Sequence, residues 1–188
     1  MEFVQPDDQN KDDRTVMRVA LPEAVPPGGS ITLDIAFQSK LPRVVARSGH
    51  KDDFYMVGQW FPKIGVWEDG EWNCHQYHAS SEFYADFGEF EVAITVPEGY
   101  VVGATGRRIG ERKNGDGTVT YTHAQEDVHD FAWTKSPDFV EIRKPFTLEN
   151  PPVRTEMILL VHRDHLNLKD RYEESLRNGL MLNQVPVI

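Results

Sequence analysis

Alternation with a period of two is the feature that most constrains this chain. Ile31, Leu33, Ile35 and Phe37 alternate with Thr32, Asp34, Ala36 and Gln38, and Phe90, Val92, Ile94 and Val96 alternate with Glu91, Ala93 and Thr95. Successive side chains of a strand point to opposite faces, so such runs predict strands with one buried and one wet face, the habit of antiparallel sheets. The same spacing recurs at Thr15–Leu21 and at Thr155–Val161. Turn residues separate the runs: a Pro- and Gly-rich cluster at 22–29, Pro97-Glu98-Gly99, and Asn114-Gly115-Asp116-Gly117. The last predicts a hairpin, because Asn and Gly accept the positive φ that a tight turn needs. Pro137, Pro145, Pro151 and Pro152 mark further loops.

The period changes near the end. Leu168, Tyr172, Leu176 and Leu180 recur at i, i+4, which is one face of a helix. Asn167 followed by Asp170 resembles an N-terminal cap, and Glu173 with Arg177 makes a favourable i, i+4 pair. The expectation is an all-β, mostly antiparallel chain with one C-terminal amphipathic helix, divided into a β-domain at 1–165 and a helical piece at 166–188. That helix either opens a further domain or packs back on its own sheet.

Phe54 to Phe90 is the chemically richest stretch, with three of the four tryptophans and the only cysteine. Polar groups (Gln59, Asn73, His75, Gln76, His78, Glu82, Asp86) are interspersed with the rings, which suits either a lined cleft or a polar-rimmed core. A net charge of −10 argues against nucleic acid, whose phosphates need a basic face. No stretch approaches a membrane span of about 18 apolar residues, and residues 1–15 do not read as a signal peptide. The compartment stays open.

Three clusters invite a chemical reading. Cys74, His75 and His78 are zinc-type ligands, but in an extended segment His75 would face away from the other two, and hydrogen-bonded histidines are the plainer reading. His162, Asp164 and His165 close the last strand. Glu126, Asp127, His129 and Asp130 could do acid–base work or form a solvated loop. No His-Glu-x-x-His, nucleophile elbow or phosphate-binding glycine loop occurs. No catalytic set is complete.

Longer motifs carry a resemblance. Trp60–Trp67 matches W-[FY]-P-K-x-x-V-[YW], and Glu82–Phe90 matches E-F-[YF]-x-[DE]-F-G-x-[FY]. Together with Asp127–Trp133 and Ser136–Phe139, these make the chain from about Arg14 to Leu182 resemble the amino-terminal β-domain of bacterial aminopeptidase N-like (gluzincin) zinc metallopeptidases. The resemblance implies a saddle- or sandwich-like β-domain, truncated at its start, that covers the peptide-binding cleft of a thermolysin-like catalytic domain. The tail from Asp170 looks like the first helix of that domain. Zinc, its ligands and the general base would belong to that missing domain, so this chain would hold no metal and be inactive alone. Gln59 falls where the family's Gln-x-Glu pair begins, which implies a role in binding the substrate's amino end. Phe61 stands where the carboxylate would be. The reading from another class is a free-standing β-sandwich interaction module without catalysis.

Overall fold

The computed structural model describes residues 1–43, 47–78, 80, 84–149 and 152–182. Glu82 and Phe83, at the start of the second family-like motif, lie outside the described residues, as does the Leu180 side chain. In chain order the strands are β1 (Glu2–Val4), β2 (Val16–Arg18), β3 (Gly49–Lys51), β4 (Phe54–Val57), β5 (Val66–Glu68) and β6 (Glu71–Asn73). They continue as β7 (Gly88–Pro97), β8 (Val101–Ala104), β9 (Arg107–Lys113), β10 (Thr118–Val128), β11 (Trp133–Ser136), β12 (Phe139–Glu149) and β13 (Pro152–His162). A 3-10 turn (Arg163–Leu168) leads into α1 (Lys169–Leu182). Among the described residues, strand makes up 44% and helix 10%, about twice the ordinary share of strand, so the fold is all-β with a C-terminal helix. Antiparallel pairing dominates it.

The chain divides into two compact units, one of Met1–Lys40 with Trp60–Gly88, the other of Leu41–Gln59 with Glu89–Ile188. The second unit holds the larger sheets, ordered β3-β4-β11-β8 and β7-β10-β9, and the long β12-β13 ribbon. In β7 the alternation places Ile94 and Val96 inside and Ala93 and Thr95 outside. The Asn114–Gly117 hairpin forms between β9 and β10: Gly115 and Gly117 take φ of 82° and 85°, and the Thr118 amide donates to the Asp116 carboxylate at 3.0 Å. Phe131, fully buried, lies 6.1 Å from the Phe90 ring, and Phe54 meets Phe139 edge-on at 5.8 Å. Val96, Val119, Phe146, Met157 and Val161 complete this core. The helix packs against the ribbon, with Leu176 beside Ile142, Met157 and Leu159.

Four local expectations need correction. The strand at Ile31–Phe37 does not form: these residues join no ladder, and every residue from 20 to 40 is exposed. Alternation specifies a face but supplies no neighbouring strand, and a strand's N–H and C=O groups need one. Pro151 lies outside the described residues, Pro152 opens β13 instead of marking a loop, and Pro145 is inside β12, opposite Glu156. A two-stranded ribbon tolerates it because each strand leaves an edge outside the ladder. Asn167 is no helix cap, since it lies within the 3-10 turn, whose cap is His162 accepting from the Asp164 amide at 3.4 Å. Glu173 does not pair with Arg177: its carboxylate accepts from Lys144 of β12, while Arg177 lies 5.9 Å over the Phe146 ring. Both side chains therefore tie α1 to β12 instead of to each other.

Candidate functional site

Gln59 sits in the bend that follows β4. Ser48 builds that bend: its hydroxyl accepts from the Gly58 amide at 2.9 Å and donates to the Gly58 carbonyl. The result puts Gln59 at φ 51°, the left-handed region, which a side chain with a Cβ enters at a cost of about 1–3 kcal/mol. The residue is exposed, and its amide makes no hydrogen bond among the described residues. The next residues fold over one another: Trp60 meets Phe37 at 5.9 Å and Phe61 edge-on at 5.2 Å, the Ser39 hydroxyl bonds the Trp60 carbonyl, and Lys63 lies 5.8 Å over the Phe61 ring. Phe61 thus serves ring packing and offers a ligand no charge.

The hairpin β5–β6 turns through Asp69 and Gly70, both at positive φ (52° and 87°), the geometry that matches the twist of paired strands. It sets Trp67 opposite Trp72, ring centroids 5.0 Å apart, with both rings more than half exposed. The Glu68 carboxylate accepts from Asn73 and, at 3.0 Å, from the Tyr84 hydroxyl, and that bond raises the Tyr84 pKa above its ordinary value.

His75 and His78 converge after all, but on a carboxylate. Asp7 takes His75 Nδ1 at 2.7 Å, His78 Nε2 at 3.2 Å and the Gln76 amide at 2.6 Å. The His75 bond leads the effects that hold its pKa below the usual carboxylate range. Gln76, only 2% exposed, reverses the exchange: its Oε1 accepts from the amides of Asp7 and Asp8 at 3.1 Å, and its Nε2 donates to Asp8 at 3.0 Å. Both histidines are exposed. Cys74 is half-buried, and burial pushes its thiol pKa up, away from the thiolate a metal needs. Among the described residues, no group of three or more His, Cys, Asp or Glu side chains could hold a metal. These residues therefore do not fit a zinc centre, because one ring nitrogen of each histidine is engaged by Asp7 and no third ligand joins them among the described residues.

His162 and His165 lie 5.9 Å apart, with Asp138 and Asp164 3.7 and 3.6 Å from the His162 ring. Glu126, Asp127 and His129 are exposed at the end of β10, and Asp130 caps the Phe131 amide at 2.8 Å. Among the described residues, no helix is long and apolar enough to cross a membrane. No family model, curated protein or solved structure matches this chain.

Proposed function

We propose that this chain is the β-domain of a zinc aminopeptidase-like metallopeptidase, covering the peptide cleft of a thermolysin-like catalytic domain that carries the zinc, and inactive alone. The reading rests on the family-like runs at Trp60–Trp67, Glu82–Phe90 and Asp127–Trp133. The observation that carries the site is Gln59, exposed at φ 51° with its side-chain amide unengaged among the described residues. In this reading its side-chain oxygen accepts a hydrogen bond from the substrate's α-ammonium group. It orients that group without neutralising it, since Phe61 occupies the position of the family's carboxylate.

A hydrogen bond to a charged group is worth about 1.5–3 kcal/mol. Gln59→Ala in the enzyme that carries this domain should weaken free-amine peptides about ten- to a hundredfold, at about 1.4 kcal/mol per factor of ten. N-blocked peptides should change little. An equal loss on both would assign Gln59 to the bend instead. The exposed apolar side chains of 31–37 and of Trp67–Trp72 also suit a free-standing interaction module. Sequencing the reading frame beyond Ile188 separates the two: the enzyme reading requires a His-Glu-x-x-His helix with a later glutamate, and an immediate stop would refute it.

A further inference from the structure

The second unit carries a cleft of about 350 Å3, lined by Arg43, His50, Lys51, Asp52 and Tyr55. That volume is within the range of small-ligand sites. Its wall is built by sheet register. His50 of β3 and Lys135 of β11 both lie opposite Tyr55 of β4, so the three side chains stand abreast on one face of the sheet. The His50 ring stacks on Tyr55 at 5.2 Å and 15°. From the other neighbouring strand, Lys135 Nζ lies 4.4 Å over Tyr55 and 4.7 Å over Tyr100, whose hydroxyl is held by Asp53 at 2.8 Å. The floor of the cleft is pinned by the His50 amide, which donates to the Pro42 carbonyl at 2.9 Å and keeps Arg43 beside β3.

Charge makes this place unusual. The chain has 30 acidic residues against 20 Lys and Arg, so a cation here should find a carboxylate easily. Yet the side chains of Arg43, Lys51 and Lys135 make no hydrogen bond or ion pair among the described residues. Lys135 is half-buried between two ring faces, which attract an ammonium but accept no conventional hydrogen bond from its three donors. Burial lowers its pKa, partly offset by Asp53. The buried Nδ1 of His50 has no hydrogen-bond partner among the described residues either.

We propose that this cleft binds a small oxyanion, a carboxylate or phosphate, held by Arg43 and Lys51, the two cations that line it beside the single carboxylate of Asp52, with Tyr55 and the field of Lys135 behind. An Arg fork matches the paired oxygens of either group, and the aromatic wall excludes water from one side of them. The inference stands apart from the peptidase reading, because it uses neither Gln59 nor zinc.

The test is titration of the 188-residue chain with inorganic phosphate, and separately with acetate, at ionic strength matched by chloride, read by amide chemical shifts. Saturable shifts confined to 42–43, 49–55 and 135 are expected. Saturation by both probes assigns general oxyanion binding, and by one alone assigns that anion. Arg43→Gln and Lys135→Met should each weaken binding about tenfold, the scale of one charge-assisted contact, while the far-UV circular dichroism stays that of the parent. The proposal is overturned if chloride gives the same shifts, if neither anion saturates, or if both variants bind as the parent does.

Discussion

The two units solve the same problem differently. The second buries apolar side chains: Val57, Ile94, Val96, Val119, Phe131, Phe139, Phe146, Met157 and Val161 are all at or below 9% exposure. The first has Val66 as its sole hydrophobic core residue among the described ones, and its most enclosed group is an amide, Gln76. Among the described residues, all the exposed large apolar side chains except Ile109, Ile158 and Tyr172 belong to the first unit. One unit is held by water's rejection of hydrocarbon, the other by directed hydrogen bonds between segments about 70 residues apart in sequence. A unit built the second way leaves much of its apolar surface in water.

The contrast breaks first at Phe131. Phe131→Ala should cost about 3–5 kcal/mol, the usual toll of deleting a buried ring, and amide exchange in β10 and β11 should accelerate accordingly. Equal acceleration at Asp7 and Asp8 would show that the units share one stability. Gln76→Ala comes next, at about 1–3 kcal/mol, because two part-buried hydrogen bonds to the Asp7 and Asp8 amides lose their acceptor. Here the Asp7 and Asp8 amides should lose protection while β10 keeps its own, and protection unchanged at Asp7 would dismiss the clamp.

Acid should then separate the units by pH. Burial leads the effects that hold the His123 pKa below its ordinary 6.5, Arg108 adding to it. Its neutral ring is favoured by the fold, so the unfolded chain takes up the proton first. The second unit should lose stability as pH falls below about 6.5, down to the depressed value. Asp7 has the opposite chemistry but also a lowered pKa. Its share of the first unit's stability is complete above about pH 3.9 and is lost only as pH falls through its folded value. Urea unfolding from pH 7.5 to 3, followed by amides in each unit, checks the order. A His123→Gln variant that keeps the full slope between pH 6.5 and 5 would acquit that histidine. The smallest effect belongs to Leu33→Gln with Ile35→Gln: both sites are exposed, so stability should move by about 0.5 kcal/mol or less. Binding of a hydrophobic dye should nonetheless drop, and no drop would mean that this segment is not the exposed patch.

What the sequence made legible was local. β7, the Asn114–Gly117 hairpin and the Thr155–Val161 strand follow from alternation and turn chemistry, and the terminal helix follows from i, i+4 spacing. What it hid was pairing. Ile31–Phe37 has as clean an alternation as β7 but no partner strand, and nothing in its residues could say so. The Asp7–Gln76 clamp joins residues whose types alone suggest only a turn and a polar loop, and Gln76 itself carried no signal beyond standing between two histidines. The Lys135–Tyr55–His50 row was equally invisible, because it is made by register across three strands. Gln59 was singled out by resemblance, whereas its positive φ needed coordinates.

The open segment from 20 to 40 also bears on how the chain would age among proteases. A protease must draw an extended, unpaired stretch of backbone into its cleft, and this segment offers Leu21, Leu33, Phe37 and Lys40 as cleavage side chains, all exposed. A cut there would sever Met1–Val19 from the rest in covalent terms only. β1, β2 and Asp7 would remain attached through Gln76, His75 and His78, giving a nicked species of unchanged mass in native solution that separates into two pieces only on denaturation.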